Sequence, residues 1–199
     1  MLSSLLLAGA LAIPVPDNTG LCLNHEEAEL VRLTNEYRVQ NGKPPLPVSL
    51  WLSTTGQFHT WDMMTNNALG GVCNLHSWSN SPPPGVTWQG MCYTSDHAQA
   101  AQMWAKPSQI SNNLYTGLGF EVASVSGGEM NAITALGTWM FSPAHRDVIL
   151  NQGAWAGVTF TGVGVGIVGN FGVMWFSNGP TDGSMPACLS DAVFSNGFE

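Results

Sequence analysis

The chain has 199 residues, 44% of them hydrophobic and only 9% charged, with a formal net charge of -8. The length favours one domain with a sizeable core. Its only Lys and Arg residues are Arg32, Arg38, Lys43, Lys106 and Arg146, which form no basic stripe. Binding to a nucleic-acid backbone or to an anionic membrane surface is therefore excluded, and partners are expected to be neutral, cationic or apolar. A soluble domain ordinarily carries about a quarter charged residues, so solubility must lean on Asn, Ser, Thr and Gly.

Residues 1–12 form an apolar run ending in Ala10-Leu11-Ala12, an A-x-A cleavage pattern. The run falls short of the roughly 20 residues a bilayer span needs. It reads as a signal peptide, so the protein is expected to be secreted to the extracellular space or a periplasm. No lipobox precedes Cys22, so no lipid anchor is expected. Residues 13–22 read as an extended leader.

Asn24 is positioned as an N-cap, with Glu27 three residues on completing a capping box. Leu30, Val31, Leu33 and Tyr37 recur at helical spacing. Gly42 stops this first helix, and Pro44, Pro45 and Pro47 forbid its continuation. The first-turn acids Glu26 and Glu27 read as a solvated face favoured by the helix dipole. Ser49 caps a second helix expected to run to about Ala68, with Trp51, Thr55, Phe58, His59 and Met63 on adjoining faces. His59 and Asp62 lie one turn apart there and are expected to pair with each other.

Residues 70–92 are irregular, with Gly70-Gly71 and Pro82-Pro83-Pro84-Gly85. Thr94 or Ser95 can cap a third helix that carries His97 on its surface and ends at Pro107. Residues 117–124 read as a strand and 128–141 as a fourth helix. Ser142-Pro143 restarts helix, with Ser as N-cap and Pro at the first helical position. Beyond Asn151 the pattern turns to strands. Val158, Phe160, Val163, Val165 and Ile167 lead to a Gly169-Asn170 turn, followed by Phe171 to Phe176. Helices first and an antiparallel sheet last argue an α+β fold with helices packed on the sheet.

An even count of four cysteines in an exported chain reads as disulfides with three possible pairings. Cys22–Cys188 and Cys73–Cys92 are favoured, because one pair then ties the ends and the other closes a local loop. No C-x-x-C spacing supports a cysteine metal site.

Four segments together resemble the CAP domain, shared by cysteine-rich secretory, antigen 5 and pathogenesis-related proteins and also called the SCP domain. They are Leu33-Thr34-Asn35-Glu36-Tyr37-Arg38 with Asn41-Gly42 and Pro45-Leu46; His59 to Met63 with His76-Ser77-Trp78; Gly119-Phe120-Glu121-Val122-Ala123; and Trp139-Met140-Phe141-Ser142-Pro143-Ala144-His145-Arg146-Asp147-Val148-Ile149-Leu150. The last is similar to the bacterial W-x-x-S-P-x-H-R-x-x-I-L pattern. The resemblance implies a three-layer α-β-α sandwich with a mostly antiparallel central sheet. The domain would span 23–188 with an insertion at 79–116, leaving 189–199 as a tail.

By the same resemblance, His76, Glu121 and His145 line a central cleft. Many eukaryotic members carry a second acid three residues after the tryptophan of the fourth helix, where this chain has Ser142. Two imidazoles can ligate Zn²⁺ or another divalent metal with positions left open, and Glu121 can serve as an outer orienting group or a third ligand. The resemblance also implies an extracellular binding module for a partner or an apolar sterol or lipid ligand. The alternative is a metal-dependent, peptidase-like hydrolase using His76, His145 and Glu121. Ser77 and Ser142 are further candidate nucleophiles, although no G-x-S-x-G elbow is present. Trp78, Trp88 and Trp104 are the candidates for an exposed aromatic patch around the insertion.

Overall fold

The computed structural model describes residues 21–66 and 69–188. The signal-peptide reading and the C-terminal tail lie outside them.

Helix α1 (His25–Gln40) begins with the expected capping box: the Asn24 side chain accepts from Glu27 N–H, and the Glu27 carboxylate accepts from Asn24 N–H. Glu27 does more than cap, and the solvated first turn is corrected here. Its side chain is buried and also accepts from Gln57 Nε2 at 2.9 Å and Ile167 N at 3.0 Å. One carboxylate thus joins a helix start, the second helix and a strand. Burial pushes its pKa above the ordinary carboxylate value, against the lowering effect of these hydrogen bonds. At the other end Arg38 is buried. It donates to the carbonyls of Pro44 and Ile149 and to Asn151 Oδ1, tying the Pro-rich loop to the second half of the chain.

Helix α2 (Leu50–Asn66) is capped by Ser49, whose hydroxyl accepts from Leu52 N. Every residue from Leu52 to Met63 is buried. The single long third helix expected from the sequence is instead two short ones, α3 (Ala100–Trp104) and α4 (Lys106–Ile110). Thr94 and Asp96 are taken up by a turn. Pro107 sits near the start of α4, where its missing N–H costs nothing, so it opens a helix rather than closing one. His97 lies in that turn, exposed, with a left-handed backbone (φ 59°), and not on a helix.

Strand β1 (Gly119–Val125), helices α5 (Ala132–Phe141) and α6 (Pro143–Ile149), and strands β2 (Gly162–Val168) and β3 (Phe171–Ser177) complete the fold. The sheet is antiparallel in the order β1-β3-β2, with Glu121 opposite Trp175 and Trp175 opposite Gly164. The hairpin turns at Gly169, whose φ of 57° suits glycine.

Strand alternation sorts side chains into two cores. Phe120, Val122, Val163, Val165, Ile167, Met174 and Phe176 pack with α1, α5 and α6. Ala123, Phe171, Val173 and Trp175 pack with α2 and with Trp78, Trp88, Met91, Tyr93 and Tyr115. The sheet is therefore the middle of three layers, as expected. The exposed aromatic patch is corrected: Trp78 is 2% and Trp88 8% exposed, and Trp104 is partly buried against Phe120. The 79–116 segment folds over α2 and supplies its outer cover.

On the α2 side of β2, positions 162, 164 and 166 are all glycine. A Cβ on Gly164 would lie 2.1 Å from the Leu52 carbonyl carbon, and one on Gly166 would lie 2.2 Å from Gly56 backbone. Helix backbone rests on strand backbone, and this contact fixes how deep α2 sits. Both expected disulfides are present, Cys22–Cys188 and Cys73–Cys92.

Candidate functional site

Because α2 lies so close to the sheet, the residue one turn beyond Gly56 is carried to the middle of it. That residue is His59, fully buried. Its ring stacks on Trp78 at 4.1 Å and 7° and meets the edge of Trp175 at 6.3 Å. Glu121 points to this same face of the sheet, on the strand next to Trp175. Its Oε1 lies 2.5 Å from His59 Nδ1 and its Oε2 2.7 Å from His76 Nδ1. The expected His59–Asp62 pairing is thereby corrected. Asp62 instead accepts from Ser79 N, Ser79 Oγ and Asn66 Nδ2, pinning the start of the insertion to α2. Residues one turn apart on a helix are neighbours, but here each is drawn to a different layer.

His76 is the partly exposed member, with 18% of its side chain accessible, and its ring packs edge-on against Tyr93. A carboxylate oxygen only accepts, so His76 Nδ1 carries a proton, and in the neutral ring that leaves the lone pair on Nε2. Burial pushes the Glu121 carboxyl up, but the His59 charge and the hydrogen bonds from His59 and His76 outweigh it. The group ends below the ordinary carboxylate range.

His145 stands on α6. Its Nδ1 is 2.9 Å from Ser142 Oγ. Ser142 occupies the N-cap position as expected, but its hydroxyl makes no capping bond and goes to His145 instead. Burial pushes the His145 pKa down. The His76 charge adds to this and Glu121 opposes it, so the three groups lie within electrostatic reach of one another. The neutral imidazole that results is the form able to bind a metal. Ser77 is unsuited to nucleophilic work, being fully buried with its hydroxyl accepting from Tyr93 N.

The sequence reading assigned no site role to His59 or Lys106. Lys106 is fully buried, and its ammonium donates to Gln89 O and lies 5.1 Å over the Trp78 ring. Burial pushes its pKa down to about 8, with Asp62 and Glu121 pulling the other way. A lysine depressed in the folded state binds fewer protons there than in the unfolded chain, so stability rises with pH. Between pH 8 and 10.5 the wild-type protein should gain up to about 3 kcal/mol relative to Lys106→Met. Urea denaturation of both proteins at pH 7 and pH 10 measures this, and a difference that stays flat contradicts it.

A family model described as the cysteine-rich secretory protein family, CAP, matches residues 31–177. Among solved structures, the chain is similar to an extracellular protein containing an SCP domain from Bacillus anthracis. The TM-score is 0.51 at 22% identity, over 76% of this chain and 40% of that one. A cysteine-rich secretory protein from Staphylococcus aureus aligns with TM-score 0.47 at 15% identity over 77% and 38%. An outer surface protein from Borrelia burgdorferi aligns with TM-score 0.48 at 12% identity over 81% and 100%. The chain thus spans about two fifths of the first two of these structures. A search of curated proteins returned no match.

Proposed function

The chain belongs to the cysteine-rich secretory protein (CAP) family, and on that premise we propose that it is an extracellular binding module whose cleft holds a divalent metal ion, such as Zn²⁺, through His76 and His145. The observation that carries this reading is the 2.7 Å bond from His76 Nδ1 to Glu121. In the neutral ring it selects the Nδ1–H tautomer and leaves Nε2 of a partly exposed side chain as a lone-pair donor, the usual arrangement behind a metal-binding histidine. His145 has its Nδ1 occupied by Ser142, which leaves its Nε2 for the same use.

Both oxygens of Glu121 already accept from imidazoles, so it serves as the outer orienting group and not as a third ligand. Among the described residues no three His, Cys, Asp or Glu side chains form a ready-made metal group. A two-nitrogen site is completed by water or by a donor atom from a partner, and its occupancy follows pH and metal supply. The bound ion would supply Lewis acidity or a coordination point for a partner. The protein would supply orientation of the rings and exclusion of water on the Trp78 side.

Two disulfides support an oxidising, extracytoplasmic setting. No helix among the described residues is long and apolar enough to cross a membrane. An apolar sterol or lipid ligand rests on the family resemblance alone. The hydrolase reading has one contact in its favour, the Ser142–His145 pair. Against it, Glu121 is spent on two histidines and is not free to activate water.

The test is calorimetric titration with Zn²⁺. The wild-type protein should bind one ion, and His76→Ala and His145→Ala should each weaken binding about tenfold or more. Binding unchanged in the double variant would overturn the assignment.

A further inference from the structure

We propose that His59 is a buried imidazolium at neutral pH that acts as the internal counter-ion of Glu121 and, through it, as a positioning residue for His76. His59 Nε2 lies 3.0 Å from the backbone carbonyl of Ser77, and a carbonyl oxygen can only accept, so Nε2 carries a proton. The near nitrogen, Nδ1, faces Glu121 Oε1 at 2.5 Å, and both side chains are fully buried. If Glu121 is ionised, Nδ1 must carry a second proton, and the ring is charged.

The surroundings place the charge on the ring. A buried carboxylate without a paired cation is strongly unfavourable, and no Lys or Arg among the described residues forms an ion pair with Glu121. The other charged or titratable groups facing this layer are Lys106, which lies over Trp78, Asp62, which is bound to Ser79, and His76 and Tyr93 on the cleft side. His59 and His76 both face the carboxylate, and His59 is the one with both ring nitrogens held against oxygen acceptors and no solvent access. Its face lies flat on the Trp78 indole, a surface that favours a cation.

The consequence for the cleft is geometric. The charged pair locks the carboxylate between layers, so Oε2 is presented to His76 Nδ1 in one orientation. This last step rests on the reading of His76 as the cleft ligand, whereas the charge state does not.

The experiment is ¹⁵N–¹H NMR of the ring nitrogens of the intact, metal-free protein at pH 7. His59 should show protons on both nitrogens. In Glu121→Gln the second His59 proton should disappear. A single protonated nitrogen on His59 in the wild-type protein overturns the proposal, whatever the outcome of the zinc titrations. A thermal double-mutant cycle gives a second readout. His59→Gln should lower Tm by about 10 °C, and adding Glu121→Gln should recover part of that loss because the buried charge is then gone. Additive losses would mean that His59 merely fills space.

Discussion

Gly166→Ala is expected to yield no stably folded protein, a loss of more than about 4 kcal/mol. The added methyl carbon would sit 2.2 Å from the carbonyl carbon and oxygen of Gly56 and 2.5 Å from Gln57 N. These are backbone atoms, which no side-chain rotation can move aside. Relief requires α2 to lift off β2. Lifting α2 opens the core of Phe58, Met63 and Trp175 and pulls the Glu27–Gln57 and His59–Glu121 bonds apart. Overpacking in a deformable core ordinarily costs about 1–3 kcal/mol, and this contact has no give. Gly137→Ala serves as the control: nothing lies within 4 Å of a Cβ there, and a helix interior favours alanine. Thermal unfolding by circular dichroism distinguishes the two. A Gly166→Ala protein melting within a few degrees of wild type would refute the close-packing account.

Glu121→Ala is expected to cost about 3–5 kcal/mol, because it strands the buried His59 charge and removes the partner of two imidazoles at once. The same change should weaken zinc binding by about 10- to 100-fold, the range found when an outer partner of a metal-binding histidine is lost. The two effects have separate causes. Stability follows the His59 bond, at 2.5 Å in the interior, and affinity follows the His76 bond, at 2.7 Å on the cleft side. Urea denaturation and calorimetry measure them independently. Normal stability combined with intact zinc affinity would show that the carboxylate bridges nothing of consequence.

Much of the frame was legible in local chemistry. The Asn24–Glu27 box, the Gly42 and proline stops, the Gly169-Asn170 hairpin turn and both disulfide pairs are short-range signals, and each appears where the residues indicate. Motif resemblance named His76, Glu121 and His145, and of these the His76–Glu121 contact is direct.

The misread features share a physical cause. Helix α2 is buried on every side, so it has no polar face to betray which residue turns toward the sheet. His59 therefore looked like a helix-surface partner for Asp62. One signal was available: a strand acid at 121 needs a cation, and with five Lys and Arg in the chain an imidazole is a natural supplier. The tryptophans of the insertion looked exposed because nothing local reveals that 79–116 folds back over α2. Pro107 read as a stop because proline ends a helix it interrupts and opens one it begins, and only the backbone turn before it decides which. Glu27 read as solvated because its third partner, Ile167 N, is 140 residues away.

The central claim is that His76 and His145 offer their Nε2 atoms to one metal ion while Glu121 orients the first ring from behind. A crystal soaked in Zn²⁺ and measured at the zinc absorption edge tests it most directly. The account predicts one anomalous peak about 2.0–2.1 Å from both Nε2 atoms, with the Glu121 bonds to His59 and His76 kept. A peak coordinated by Glu121 in place of either ring, or no peak between the two histidines at full soaking, would contradict it.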